Sequence, residues 1–336
     1  MSVGSPGGTP TPCNIYAGVV TDQAADAPRE LPPAISWEQV FSAWTFEPAP
    51  IAAVVVVGLA YCSGVWALRR RGDRWPPSRT ATFLGGGLVS MLVATCSSLA
   101  AYDTVLLSMH MVQHMVLSMV APIFLALGAP VTLALRSLPQ RPRRLLLRLL
   151  HSRLATVVSF PPVTLALFIV SPWVLYFSGW YPATLESAAL HQLLHLHFVL
   201  VGCLFFWPLL GLDPVPGRVA YPLRVLTVFA TLPFHAFLGV TIMAMREVIA
   251  GDWYYSLPRD WPPSPMDDQH LAGGILWGFG DIVGLVMLGV LFVQWVRSSN
   301  REAAHEDRRL DREQRADGAA AESRGEAAAP LPKSGL

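Results

Sequence analysis

HMVQHMVLSMVAPIFLALGAPVTLALR, residues 110–136, carries no acidic or basic charge before its final arginine and reads as the core of a membrane-crossing helix. Inside it, His110 and His114 are four residues apart, which places their side chains one above the other on a helix face. Ionisable groups at membrane depth are costly to hold there, so two of them in register point to a function. His191 and His195 repeat the spacing on a second apolar segment. Working outward from these pairs gives both the fold and a candidate site.

The 336 residues are 53% hydrophobic and 14% charged, against roughly 25% charged in soluble domains. The expected class is therefore all-α, a polytopic membrane bundle. Seven segments are long and apolar enough to cross: Ile51–Leu68, Thr82–Ala101, Val105–Leu135, Ala155–Phe177, Ala188–Leu210, Leu223–Met245 and Leu271–Val296. Pro122 and Pro130 should kink or break the third toward its end. The four cysteines, Cys13, Cys62, Cys96 and Cys203, form no CxxC pair, which argues against a zinc ribbon or a disulfide framework. The first residues lack the basic stretch and apolar core of a signal peptide.

Arginine placement gives an orientation. Arg69, Arg70, Arg71, Arg74 and Arg79 follow the first span, Arg136, Arg141, Arg143, Arg144, Arg148 and Arg153 the third, and Arg218 and Arg224 the fifth, while Arg297 ends the last. The alternate loops are neutral or acidic, with Asp103, Glu186, Glu247, Asp252, Asp260, Asp267 and Asp268. The positive-inside rule then expects the N-terminus outside and the C-terminus in the cytoplasm. Residues 1–35 read as a disordered external arm, 36–297 as the seven-helix transmembrane domain and 298–336 as a charged cytoplasmic tail, partly helical at best. Trp37, Phe41, Trp44 and Phe46 suggest a short interfacial segment before the first span. Basic residues confined to short loops give no support to nucleic-acid binding.

On this topology His110, His114, His191, His195, His235 and His270 lie in or beside the outer half of the bilayer. His151 and His305 fall on the cytoplasmic side, and His197 points away from the His191–His195 face. Met109, Met111, Met115 and Met119 surround the first pair. Imidazoles with thioethers are the donor set expected for copper, and soft sulfur favours the cuprous ion. Asp281, a buried acid of the last span, and Cys96, near the outer end of the second, are secondary candidates for such a site.

Four blocks resemble the multi-span CtaG family of cytochrome c oxidase assembly factors: HMVQHMVLSMVAPIFLALGAPVTLALR at 110–136, HQLLHLHFVLVGCLFFWPLLGLDPVPGR at 191–218, LPFHAFLGV at 232–240 and DQHLAGGILWGFGD at 268–281. The resemblance spans roughly 37–297 and implies a role in maturing a haem–copper oxidase in the bacterial cell (inner) membrane. It implies copper delivery through His110, His114, His191 and His195, with His235 a lesser ligand. The partners implied are the oxidase subunits and a periplasmic copper donor. The site is then one of transfer rather than of catalysis.

Other readings are weaker. A retinal protein needs a Schiff-base lysine, and Lys333 in the tail is the only lysine. A membrane b-type cytochrome would take one axial histidine from each of two helices. A histidine-box di-iron oxidoreductase would need about eight histidines on the cytoplasmic side, more than this chain offers.

Overall fold

The structure is a computed structural model describing residues 31–217 and 219–327. Most of the expected external arm with Cys13, Arg218 and the last nine residues of the tail lie outside the described residues. The described chain is helical throughout, as the sequence predicts. A short α1 (Trp37–Ser42) leaves Trp37 and Phe41 almost fully exposed. It is followed by α2 (Pro48–Arg70), α3 (Pro77–Tyr102) and α4 (Leu107–Ser137). Two surface helices, α5 (Gln140–Leu150) and α6 (Arg153–Val158), lead to α7 (Pro161–Tyr176) and α8 (Trp180–Glu186). Then come α9 (Ala188–Leu210), α10 (Tyr221–Ala244), α11 (Gly251–Ser256) and α12 (Pro265–Ala327).

Six of these helices are long and apolar enough to cross a membrane. A seventh candidate is a bent pair, counted as a crossing if its two helices make one span, and it replaces the expected span Ala155–Phe177. The helix breaks at Ser159 and Phe160, because a residue preceding proline is kept out of the helical region, and Phe160 sits at ψ 125 before Pro161-Pro162. The remaining α7 is 16 residues long, roughly 24 Å at 1.5 Å per residue and shorter than a hydrocarbon core. It turns by 69° into α8, and only together do the two reach span length.

The third span breaks where its prolines predict. A π-helical turn, Val116–Val120, precedes Pro122, and Ala129 adopts a left-handed conformation (φ 48) before Pro130. The restarted helix end is capped from far away. Asp213 accepts from Val131 N at 3.2 Å, Thr132 N at 2.7 Å, Thr132 Oγ1 at 2.5 Å and Trp207 Nε1 at 2.8 Å. The LGAP and WPLLGLDP motifs are therefore two halves of one junction.

α4 runs through the bundle against α3, α9 and α12. Gly202 of α9 permits its contact with α4, since a Cβ there would lie 2.1 Å from Ser118 O and 2.6 Å from Pro122 Cγ. Without a hydrophobic driving force between helices in lipid, such close backbone approach supplies the packing. α12 continues unbroken from its span into the charged segment, more helical than expected of the tail. Alanine, glutamate and arginine are strong helix formers, and Arg309 bridges Glu306 at 3.0 Å and Glu313 at 3.4 Å along the surface.

Candidate metal centre

The two histidine pairs meet. α4 carries His110 and His114 in its first turns, and α9 carries His191 and His195 in its own. The Gly202 contact holds the two helices close enough for all four rings to form one cluster. Ring centroids lie 3.8 Å apart for His110–His114, 4.5 Å for His191–His195, 5.5 Å for His110–His191 and 6.2 Å for His114–His195. All four side chains are buried.

The register of α4 is fixed by a carboxylate from another span. Asp268 of α12 accepts from Leu107 N at 2.6 Å and from Ser108 N at 3.3 Å, and it also bonds the Ser108 hydroxyl. This caps the N-terminus of α4 within one turn of His110, where exposed N–H groups and the helix dipole favour an anion.

Hydrogen bonds to the cluster set which ring nitrogens are bare. The Gln113 amide nitrogen donates to Ala94 O at 2.9 Å and Asp103 Oδ2 at 3.0 Å. Its carbonyl oxygen therefore faces His195 Nε2 at 3.0 Å, so that nitrogen carries the proton and donates. The Tyr176 hydroxyl lies 3.0 Å from His114 Nδ1 and 3.5 Å from Met111 Sδ, so it bonds the ring on one side and the thioether on the other. The unprotonated His195 Nδ1 is buried without a partner, as are His114 Nε2, His191 Nε2 and the two nitrogens of His110, one of which carries the ring proton. Each buried, unpaired polar atom costs about 1–3 kcal/mol. Unpaired imidazole nitrogens from two helices brought within reach of one another suit a ligand site, and a deprotonated imidazole nitrogen is a metal ligand.

Two overlapping groups have ligand atoms all within 4.8 Å of one another: His110, His114 and His191, and Asp103, His191 and His195. Asp103 lies in the turn between α3 and α4, outside the spans, and burial pushes its carboxyl up to about 8. Aromatic rings close the remaining sides. The bend between α7 and α8 brings Tyr181 to 4.8 Å from the His110 ring, and Phe198 stands 4.3 Å from His114. Tyr181 is held in turn by a 2.5 Å hydroxyl contact with Tyr254 of α11.

The other sequence candidates lie elsewhere. His235 of α10 faces Thr231 O at 3.1 Å and packs against Phe168, outside both groups. It reaches His114 only across a small cavity of about 20 Å³ that both residues line, enough for roughly one water. His197 is exposed, lines a cavity between α7 and α9, and pairs with Ser171 at 3.0 Å. His270 is exposed, and Asp281 accepts from Trp277 within its own helix at 2.7 Å. Cys96 is buried beside Thr95 at 3.7 Å and joins neither group. The Met111 sulfur lies 3.5 Å from the Tyr176 hydroxyl, and Met111, Met115 and Met119 are buried in the core. Asp103, Gln113, Tyr176 and Tyr181 are the site residues that spacing did not single out.

Residues 59–298 match the family described as cytochrome c oxidase caa3 assembly factor (Caa3_CtaG). The chain belongs to the Caa3_CtaG family. Similar curated proteins, all named only as uncharacterized, occur in Mycobacterium bovis and Mycobacterium tuberculosis, each 39% identical over 289 residues, and in Mycobacterium leprae, 35% identical over the same length. The aligned regions cover 84% of this chain but 44% of each relative, so this Caa3_CtaG chain spans less than half the length of the curated relatives it matches. No solved structure matches it.

Proposed function

We propose that this protein is a membrane assembly factor for a haem–copper cytochrome c oxidase, and that it holds cuprous copper as cargo on His110, His114 and His191, with His195 beside them. The observation carrying the proposal is the convergence of bare, buried imidazole nitrogens from two spans. Family membership supports the process, and the donor set supports the ion, since imidazoles suit copper. The positive-inside pattern supports an outer-face location in a bacterial cell membrane, which would open the site to a periplasmic donor and to the oxidase subunits. His195, with its proton directed to Gln113, presents a lone pair without any proton having to leave first.

Haem is a poorer fit. A macrocycle ligated by His114 and His195 would run into His110 and His191 one turn away, whose rings are 5.5 Å apart. Removing His110 and His114 together (H110A/H114A) should leave the protein in the membrane and strip copper from the maturing oxidase. Unchanged oxidase copper content in that strain refutes the copper role, and a Soret band in the purified protein would shift the assignment to haem.

A further inference from the structure

We propose that Asp103, His191 and His195 form a second metal station, selective for a divalent ion, which shares His191 with the three-imidazole group so that the two stations are filled in alternation.

Three observations carry this. The second group has a different donor set, one carboxylate with two imidazoles, and its ligand atoms lie within 4.8 Å of one another. Two histidines with a carboxylate and an open position are the ligands of catalytic zinc and of non-haem iron, whereas a cuprous ion prefers donors without a hard oxygen. Next, Asp103 is a buried carboxylate without a cationic partner. Among the described residues its only ion-pair neighbour is His191, with Nε2 3.7 Å away, too far for a hydrogen bond. A bound cation would supply the compensating charge that a carboxylate needs in order to act as a buried ligand.

Last, Gln113 organises this group as a unit. It donates to Asp103 Oδ2 and accepts from His195 Nε2, which orients the carboxylate and turns the bare, buried His195 Nδ1 to the ligand role. A glutamine that fixes two ligands at once is the outer-shell arrangement metal sites use to set tautomer and ring orientation.

Sharing makes the stations exclusive. His191 belongs to both groups, and two cations a few ångströms apart repel strongly where the dielectric is low. A divalent ion seated on Asp103 therefore withholds His191 from the inner group, and a cuprous ion on the inner group dismantles the outer one. Alternation rests on the copper reading above; the divalent station does not.

The test uses the full-length chain purified in detergent, with Zn²⁺ and anaerobic Cu⁺ as probes and metal content measured after equilibrium dialysis. Wild type should hold one Zn²⁺, lose it as Cu⁺ is added, and never carry both at full occupancy. D103N should weaken Zn²⁺ binding by at least ~10-fold, since loss of an outer-shell partner alone costs 10–100-fold, and should keep Cu⁺. H110A/H114A should do the reverse. Zinc-edge X-ray absorption of the wild-type protein, which needs no variant to fold, should show two imidazoles and oxygen donors. Zinc ligated by imidazoles alone, Zn²⁺ binding untouched by D103N, or simultaneous full loading with both ions overturns the inference. Zn²⁺ binding that depends on Asp103 in a protein that takes up no Cu⁺ sinks the copper proposal and upholds the divalent station.

Discussion

Gly202→Ala tests whether the close crossing of α4 and α9 builds the centre. The added methyl would sit 2.1 Å from Ser118 O, 2.6 Å from Pro122 Cγ and 2.9 Å from Ser118 C. Backbone cannot swing aside as a flexible side chain does, so the helices must separate by roughly 1 Å or more to restore ordinary contact distances. Overpacking of this kind costs about 1–3 kcal/mol. His195 lies two turns along α9 from Gly202, close enough for the separation to reach the cluster. Metal-ligand distances tolerate only about 0.2 Å of error, so the same substitution should weaken metal binding at least ~10-fold, comparable to loss of an outer-shell partner. Gly274→Ala is the matched control, because a Cβ there meets nothing within 4 Å. It should raise stability by about 0.5–1 kcal/mol through the helix preference for alanine. Thermal melts of the two purified variants, with metal content measured alongside, decide the matter. A Gly202→Ala protein that melts no lower than wild type and still loads metal refutes the claim that this crossing positions the histidines.

Three further substitutions separate positioning from ligation. Gln113→Leu strips the hydrogen bonds from Asp103 Oδ2 and His195 Nε2; it should lower metal affinity by about 10–100-fold, read by dialysis, and unchanged affinity would deny Gln113 an orienting role. Asp268→Ala leaves the Leu107 and Ser108 amides buried without acceptors; it should cost about 1–3 kcal/mol in a denaturation assay, and a neutral result would contradict the capping of α4. Tyr176→Phe frees His114 Nδ1 and removes the bond to Met111; metal affinity should fall with little loss of stability, and a large fall in stability with intact affinity would make the tyrosine purely structural.

Hydropathy was sufficient to read the spans, because a 20-residue apolar run has few alternatives to a membrane helix. It failed at residues 155–186. The break at Phe160 and the 69° bend at 177–179 depend on local backbone preference, which average hydropathy does not register. That bend mattered for the site, since it delivers Tyr176 and Tyr181 to the histidines. The histidine pairs were legible from spacing alone, because i, i+4 fixes a shared face. Asp103 was legible only as a loop charge: its carboxylate comes to lie against α9 through the fold of the turn before α4. Gln113 stood between the two histidines in plain view, yet a neutral amide carries no signal until its partners on α3 and α9 are known. His235 illustrates the opposite error, since shared depth in the bilayer put it near the cluster but its helix packs it behind a small cavity.

The anchoring of α4 also constrains how the cluster can behave. Two remote carboxylates, Asp268 and Asp213, pin the starts of the two halves of α4 from other segments, so the histidines on that span cannot easily turn away to find water or other partners. Any ion that binds the folded form alone raises stability by an amount set by its concentration over its dissociation constant, about 2.7 kcal/mol at a hundredfold excess. On the proposed copper reading, stability and cargo would be coupled through the same atoms, and release would go to a partner offering the ion donors at least as good.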